Sequence, residues 1–391
     1  MTEQLGYGRA IDEDEERQLI QAASQGFAFP VAKAVAYYER IGMDNVRVVR
    51  RGGRVVGTAA FYPVGQWFGG GRVPSGAVAA VAVPPHERAA GVARTMMRRL
   101  LEEMREGGFP LSSLYASTAH LYRRVGYEVA GDHVTYSIPC ESVTTRNRDV
   151  EMWPFDPVDH DLMRPMYEAR ASREAGHLDR NEGLWTQIAP GRRGEKLYAY
   201  AFGARSSPEG YFIYAHDLSE PFKVRIRDMA LLTAGAVRRF WTFVGDLDSI
   251  VRTVQWLGPA SDPILMSLPE QSWKVVESER WLLRVVHARR ALELRGYEPS
   301  LRAELHLDVR DEVLAANSGR HVLRVADGVG ELVEGGDGAL RVGCRGLAAL
   351  YSGLHSAEEL QRQGALEGEA GVLRTASLLF AGPRPWMPDD F

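Results

Sequence analysis

The stretch GAVAAVAVPPHERAAGVAR, residues 76–94, decides the fold of the first part of the chain. Residues 76–83 are an unbroken run of small and β-branched apolar side chains, which reads as a strand covered on both faces. Pro84 and Pro85 end it, because neither has an N–H to give to a ladder. A helix is predicted from about Gly91. Val92, Met96, Leu100 and Met104 recur every four residues and make one apolar stripe, while Arg98, Arg99, Glu102 and Glu103 take the other faces. Gly107-Gly108 stops it. Between strand and helix lies Arg88-Ala89-Ala90-Gly91-Val92-Ala93. Unpaired N–H groups at a helix start attract anions, and small residues at 91 and 93 let a phosphate approach the backbone. Arg88 adds a positive charge. The loop therefore suits a pyrophosphate. It is not a P-loop, because no Gly-Lys-Ser/Thr ends it, and it lacks the three-glycine spacing of the dinucleotide fingerprint.

Outward from this stretch the pattern stays mixed α/β. Upstream, the acid-led residues 12–16 run into Leu19, Ile20 and Ala23, a first helix whose acids suit the positive end of its dipole. Residues 30–41 give a second helix through Val35, Tyr38 and Ile41. Residues 46–49 and 55–62 read as a hairpin around Gly52-Gly53, and Gly69-Gly70-Gly71 makes a further turn. Downstream, residues 111–116 are a short strand, residues 119–122 open a short helix that Gly126 ends, and residues 127–138 supply another strand. Near residue 140 the texture changes, and residues 141–149 are polar and aperiodic, as in a linker. In the middle segment, residues 159–175 and 234–245 read as helices and residues 197–204, 211–216 and 223–232 as strands. From about Trp281 a third segment follows. Residues 301–309 and 321–326 alternate like strands, residues 331–338 read as a Gly- and acid-rich turn, and residues 347–353 and 357–363 as short helices. Residues 373–380 are apolar.

At 391 residues, against about 150 for a typical domain, two or three domains are expected. Hydrophobic residues make up 45% and charged residues 25%, an ordinary globular balance. With 47 Lys+Arg against 51 Asp+Glu, bulk basicity gives no support for nucleic-acid binding. Cys140 and Cys344 are the two cysteines, too few for a disulfide framework, and no CxxC or HExxH pattern offers a zinc site. No metal is expected. The polar start, residues 1–12, lacks the apolar core of a signal peptide, and no apolar run is long enough to span a bilayer. The expectation is a soluble cytoplasmic protein with no membrane partner.

Two motifs together carry a family resemblance. Arg88-x-x-Gly91-x-Ala93 after a buried strand resembles the acetyl-CoA loop of the GNAT N-acetyltransferases. Leu121-Tyr122-Arg123-Arg124-Val125-Gly126-Tyr127 resembles the Leu-Tyr-x-x-x-Gly-aromatic signature that follows the next strand in that family. The resemblance implies an acetyl-CoA co-substrate bound by Val81, Ala82, Val83, Arg88, Ala89, Ala90, Gly91, Val92, Ala93, Arg94, Ser117 and Thr118. Strands near residues 81–83 and 114–116 would splay, so that backbone groups of Val81 and Val83 hold the pantetheine amides like an added strand. Tyr122 would face the thioester sulfur. A free phenol has a pKa near 10 and a thiol about 8.5. Either the site lowers the phenol, or Tyr122 acts mainly as a hydrogen-bond donor to the leaving thiolate. Tyr127 reads as structural.

The three-part organisation, the Leu114-Tyr115-Ala116-Ser117-Thr118 strand end and the aromatic last residue resemble the Eis family of GNAT enzymes. The implied architecture is α/β (α+β): two GNAT-like domains in tandem followed by a sterol-carrier-protein-like domain. Residues 1–140 would be the acetyl-CoA-binding catalytic domain, 141–285 a degenerate GNAT-like domain without cofactor, and 286–391 the sterol-carrier-like domain. In that family the terminal carboxylate is the base, here the α-carboxylate of Phe391. An α-carboxyl near 3.5 is acidic for that task, and burial beside the Phe391 ring would raise it. Trp386, Met387 and Phe391 are apolar anchors for the tail, and Pro383, Pro385 and Pro388 stiffen it. Asp389 and Asp390 would add negative potential suited to a cationic substrate, with Asp390 a candidate substrate residue.

The resemblance implies N-acetylation of primary amines on polycationic small molecules such as aminoglycosides, by a homohexamer. A lysine side chain on a protein is the nearest alternative acceptor. A lipid or apolar-ligand-binding protein with a regulatory CoA site is the alternative from another class, prompted by the third segment. Phe27, Phe29, Tyr37 and Tyr38 are candidates for the acceptor pocket, although their helical spacing equally suits a core.

Overall fold

The computed structural model describes residues 5–189, 195–217 and 219–391; residues 1–4 of the polar start lie outside them. It divides into two compact units, one of Met1–Ala130, Trp281–Gly382 and Phe391, the other of Gly131–Arg280 and Pro383–Asp390.

In the first unit a mostly antiparallel sheet runs in the order Gly6–Gly8, Val46–Arg51, Arg54–Phe68, Gly71–Ala82, Leu111–Tyr115, with Trp281–Val285 pairing beyond it. Both arms of the long central hairpin run beyond the expected strands to the turn at Gly69 and Gly70, each at positive φ. The helix Glu13–Phe27 starts at Asp12, whose side chain accepts from the Glu15 N–H at 2.9 Å. The acid cluster does more than complement the dipole, since Glu15 is buried and pairs with Arg50 at 2.5 Å. The helix Val92–Glu106 buries the expected stripe, widened by Met97 and Leu101.

The same unit holds a second sheet in the order Val329–Glu334, Gly319–Ala326, Ala303–Arg310, Leu340–Gly343, Leu366–Glu367. Cys344–Ser352, Ala357–Arg362 and Ala370–Phe380 are helices beside it. One expectation needs correction: residues 331–338 are not simply a turn. Val329–Glu334 is a strand paired with Gly319–Ala326, because Gly330 and Leu332 alternate inward. The turn is confined to Gly335, Gly336 and Gly338, all at positive φ. Trp281–Val285 pairs antiparallel with Leu111–Tyr115, and Phe68 meets Tyr351 at 5.1 Å between ring centres. A Cβ on Gly296 would lie 1.9 Å from the Gly69 carbonyl oxygen, so only glycine permits that backbone approach.

The second unit repeats the arrangement. Its strands run in the order Glu128–Pro139, Thr253–Gly258, Lys223–Leu231, Ser207–His216, Leu197–Ala204, Met152–Phe155. The core is aromatic, built on Phe202, Phe212, Phe240, Trp241 and Trp256. Lys223–Arg225 pairs parallel with Thr253–Gln255, as Ser75–Ala77 pairs parallel with Leu111–Ser113 in the first unit. A helix, Ala234–Asp246, connects the pair in the second unit. Among the described residues no helix is long and apolar enough to cross a membrane.

Candidate active site

The site is built where two parallel strands part. Gly71–Ala82 and Leu111–Tyr115 are in register at Ser75–Leu111, Gly76–Ser112 and Ala77–Ser113, and both strands run on beyond that point. A bulge marks the divergence. Thr58 faces Ala82 and Ala60 faces Ala79, so Ala80 and Val81 together oppose Ala59. Ala80 takes φ 53, a left-handed conformation that costs an alanine about 1 kcal/mol. The bulge turns the strand end away from its parallel neighbour and opens a wedge.

Below the wedge the loop has the shape expected of an anion cradle. A short turn, Pro85–Glu87, follows the strand, and Glu87 is tied to Arg51 at 2.5 Å. Ala89 and Gly91 are both left-handed, at φ 64 and 77, and Gly91 caps the helix Val92–Glu106 with no side chain competing for the first N–H groups. A cleft of about 330 Å³ is lined by Val83, Arg88, Ala89, Gly91, Val92, Ala93 and Arg94, and also by Leu121 and Arg124. Arg88 Nε donates to the Val83 carbonyl at 3.2 Å, which folds the loop onto the strand end. Three arginines, Arg88, Arg94 and Arg124, thus line the cleft at a helix N-terminus together with Glu87, whose carboxylate is paired with Arg51, a setting for phosphate oxygens. Arg124 stands at an unspecified position of the Leu-Tyr-x-x-x-Gly-aromatic signature, and its place follows from the helix Ala119–Arg123, which it C-caps.

A second cleft of the first unit, about 280 Å³, is lined by Val81, Tyr115, Ser117, Tyr122 and Phe391, with Phe27, Phe29, Lys33 and Tyr37 on another wall. Tyr122 is held by its short helix, whose end is closed by bonds from the Val125 and Tyr127 N–H groups to the Tyr122 carbonyl at 3.0 and 3.2 Å. The Tyr127 ring meets it edge-on at 6.0 Å. Burial pushes the Tyr122 phenol up to about 12. Tyr127 is fully buried and its hydroxyl shares a hydrogen bond with Ser112 Oγ at 2.8 Å, a structural bond. The Phe391 ring lies against Tyr115, centroids 5.5 Å apart.

The remaining sequence candidates fall in different places. Ala82 is buried opposite Thr58, with its Cβ against the helix at Gly26. Ala90 is exposed within the loop, and Thr118 caps the helix Ala119–Arg123. Of the aromatic candidates, Tyr38 is core and shares a hydrogen bond with Thr58, whereas Phe27, Phe29 and Tyr37 line the cleft. Phe27 and Phe29 stack with centroids 5.4 Å apart, and the Lys33 ammonium sits 5.4 Å from the Phe29 centroid. Asp389 is buried in the second unit, where it lines a cavity and pairs with Arg180 at 2.6 Å. Asp390 lines a cavity of that same unit and faces His133 at 3.6 Å. Among the described residues no group of His, Cys, Asp or Glu is placed to hold a metal ion.

Comparison with known proteins bears on the same chemistry. Residues 8–130 and 176–285 each match an acetyltransferase (GNAT) domain family, and residues 288–388 match a sterol carrier protein domain family. A GCN5-related N-acetyltransferase from Anabaena variabilis is 36% identical, with a TM-score of 0.96 over 99% of this chain and 100% of its own. The N-acetyltransferase Eis of Mycobacterium tuberculosis is 26% identical over 94% of each chain. Eis1 of Mycobacterium abscessus, 22% identical, shares the fold with a TM-score of 0.82 over 99% of this chain and 100% of its own. The chain has two tandem GNAT domains followed by a sterol-carrier-like domain, it is similar to the Eis enzymes over nearly its whole length, and it belongs to the GCN5-related N-acetyltransferases.

Proposed function

We propose that the chain transfers the acetyl group of acetyl-CoA to primary amines of polycationic small molecules such as aminoglycosides, with Tyr122 as proton donor and the Phe391 α-carboxylate as base. The observation that carries this reading is that Tyr122 and Phe391 line one cleft at the end of the parted strands. The bulged strand end at Val81 and the glycine cradle before Val92 fit a pantetheine chain and a pyrophosphate. When bound, acetyl-CoA supplies an activated acyl group.

The residues divide the proton work. The Phe391 carboxylate takes a proton from the ammonium or amine of the acceptor, directly or through one water. The Tyr122 hydroxyl donates a hydrogen bond to the departing sulfur. A phenol at about 12 stands about 3.5 above a free thiol, so complete transfer to the thiolate is uphill by roughly 5 kcal/mol. Of the two alternatives for Tyr122, hydrogen-bond donation is therefore the one the environment supports. The aromatic wall of Phe27, Phe29 and Tyr37 gives faces for a cationic amine, and the Lys33 contact with Phe29 is one such pairing already made. Negative charge comes from the terminal carboxylate rather than from Asp389.

In the same reading residues 1–140 form the catalytic domain, residues 141–285 a copy without cofactor, and residues 286–391 the segment that supplies the carboxylate. The middle copy has no cradle. Its strand ends at Leu231, its helix starts at Ala234, and Thr233 Oγ1 already accepts from the Ala236 N–H at 3.1 Å. Assembly as a homohexamer belongs to the proposal. The test is thiol release from acetyl-CoA, followed with a thiol reagent across a panel of amines. Release that depends on added aminoglycoside is expected. No amine-dependent release across the panel, with one lipid per chain co-purifying, would replace this reading with that of an apolar-ligand carrier.

A further inference from the structure

Among its 47 basic residues the chain has four lysines, Lys33, Lys196, Lys223 and Lys274. Arginine carries nearly all of the positive charge, so primary amines are scarce on this protein. Three of the four belong to the second unit. There Lys223 is buried and paired with Asp217 and Glu220 at 3.5 and 2.9 Å, Lys196 lies 5.2 Å from the Tyr198 ring centre, and Lys274 is exposed. Lys33 is the single lysine of the first unit, and it stands in the wall of the cleft that Tyr122 and Phe391 line.

The local structure gives Lys33 little reason to be there. It is the third residue of the helix Val31–Ile41, whose first turn holds no acid. The N-terminal end of a helix dipole is positive and disfavours a cation. Among the described residues no carboxylate pairs with Lys33; its ammonium lies 5.4 Å from the Phe29 ring centre instead. At an exposed position that ring contact is of similar size to the dipole effect and opposes it, so the two nearly cancel. The backbone is fixed, since the Lys33 N–H donates to the Pro30 carbonyl at 2.9 Å, while the four-carbon stem can turn over the cleft. A primary amine, a phenol and the last residue of the chain thus share one cleft of about 280 Å³. Its side-chain lining, among the described residues, holds no other base and no Asp or Glu.

Resting on the reading of that cleft as the acceptor site, we infer that Lys33 is itself an acetyl acceptor, a self-acetylation site of the enzyme. The chemistry is that of the proposed reaction with a tethered amine. The Lys33 ammonium loses a proton to the Phe391 carboxylate, and Nζ attacks the thioester carbonyl carbon. The N–C bond forms, and the C–S bond breaks with its electron pair going to sulfur, to which Tyr122 donates a hydrogen bond. A second proton leaves the nitrogen through the carboxylate to solvent. The products are an amide at Lys33 and a free thiol. A tethered amine needs no encounter from solution, so transfer to Lys33 proceeds whenever the acyl donor is bound and no other acceptor fills the cleft. Acetylation also removes the positive charge of Lys33 from the cleft.

The test incubates the full chain with acetyl-CoA and no added amine, follows thiol release, and maps acetyl groups before and after by mass spectrometry. Expected are release that stops near one thiol per unmodified Lys33, acetyl on Lys33, and unmodified Lys196, Lys223 and Lys274. The rate per chain is expected to be independent of protein concentration, as a step within one molecule requires. Lys33→Arg keeps the charge but offers no acceptor amine, and is expected to lose this release. Tyr122→Phe is expected to slow modification of Lys33 by more than about tenfold. CoA without an acetyl group gives a readout apart from turnover: it is expected to protect Lys33, and not Lys274, from an amine-directed reagent. An unmodified Lys33, equal acetylation of all four lysines, a rate that Tyr122→Phe leaves unchanged, or labelling of Lys33 that CoA does not slow overturns the inference. The panel of amines separates the two layers. Release that depends on an added amine while Lys33 stays unmodified leaves the acceptor-site reading standing and removes only self-acetylation. No release with any amine, and none from the chain alone, overturns both.

Discussion

The Tyr122 side chain is 5% exposed, and burial is the cause of its phenol standing at about 12. Its folded value lies above the ordinary one, so the neutral hydroxyl persists throughout the working pH range and ionises only as pH rises towards about 12. Tyr122→Phe is therefore expected to lower kcat on the order of a hundredfold, while the shape of the kcat profile between about pH 6 and 10 stays that of the parent. An alkaline limb that vanishes in Tyr122→Phe would show the phenol titrating in that range and contradict the donor role. Tyr122 was legible in the sequence because it sits inside a spaced motif. Ala80 was not, although its left-handed conformation makes the bulge, because an alanine carries no sign of positive φ as a glycine does. Lys33 and Arg124 were equally silent: Lys33 reaches its cleft from outside both motifs, and Arg124 stands at an unspecified position of the second.

At the level of elements, the strand end and the loop divide the work. The wedge comes from a bulge that ends parallel pairing at Ala77 and Ser113, and the cradle from Ala89 and Gly91 at positive φ. An ideal Cβ on Gly91 meets nothing within 4 Å, so a side chain there points into open space and burdens the loop through its φ of 77 rather than through a clash in the core. Gly91→Val is expected to raise the KM for acetyl-CoA about tenfold, through about 1–2 kcal/mol of backbone strain, with kcat at saturation little changed. An unchanged KM would remove the cradle from cofactor binding. Helices and strands with clean periodicity were readable, as the stripe from Val92 to Met104 shows. The strand Val329–Glu334 was masked by the glycines and acids that follow it, because its inward positions are only Gly330 and Leu332.

For the whole molecule, chain order and packing differ. Residues 281–382 join residues 1–130 in one unit through the pairing of Trp281–Val285 with Leu111–Tyr115, partners more than 160 residues apart, and no local pattern encodes such a pairing. The tail divides likewise: Pro383–Asp390 belongs with Gly131–Arg280, and Phe391 with the unit that carries Tyr122. The aromatic ending and the prolines made a held tail readable, whereas the Arg180–Asp389 pair that holds it spans 209 positions and was not. The proposed role of Phe391 is to place a carboxylate in a cleft of its own unit whose side-chain lining, among the described residues, includes no aspartate or glutamate. The most direct measurement is the turnover of the full chain with its Phe391 α-carboxylate converted to the primary amide, the ring being left in place. Kcat lower by on the order of a hundredfold or more, with acetyl-CoA affinity intact, is the expected result; full turnover by the amide would contradict the terminal carboxylate as base.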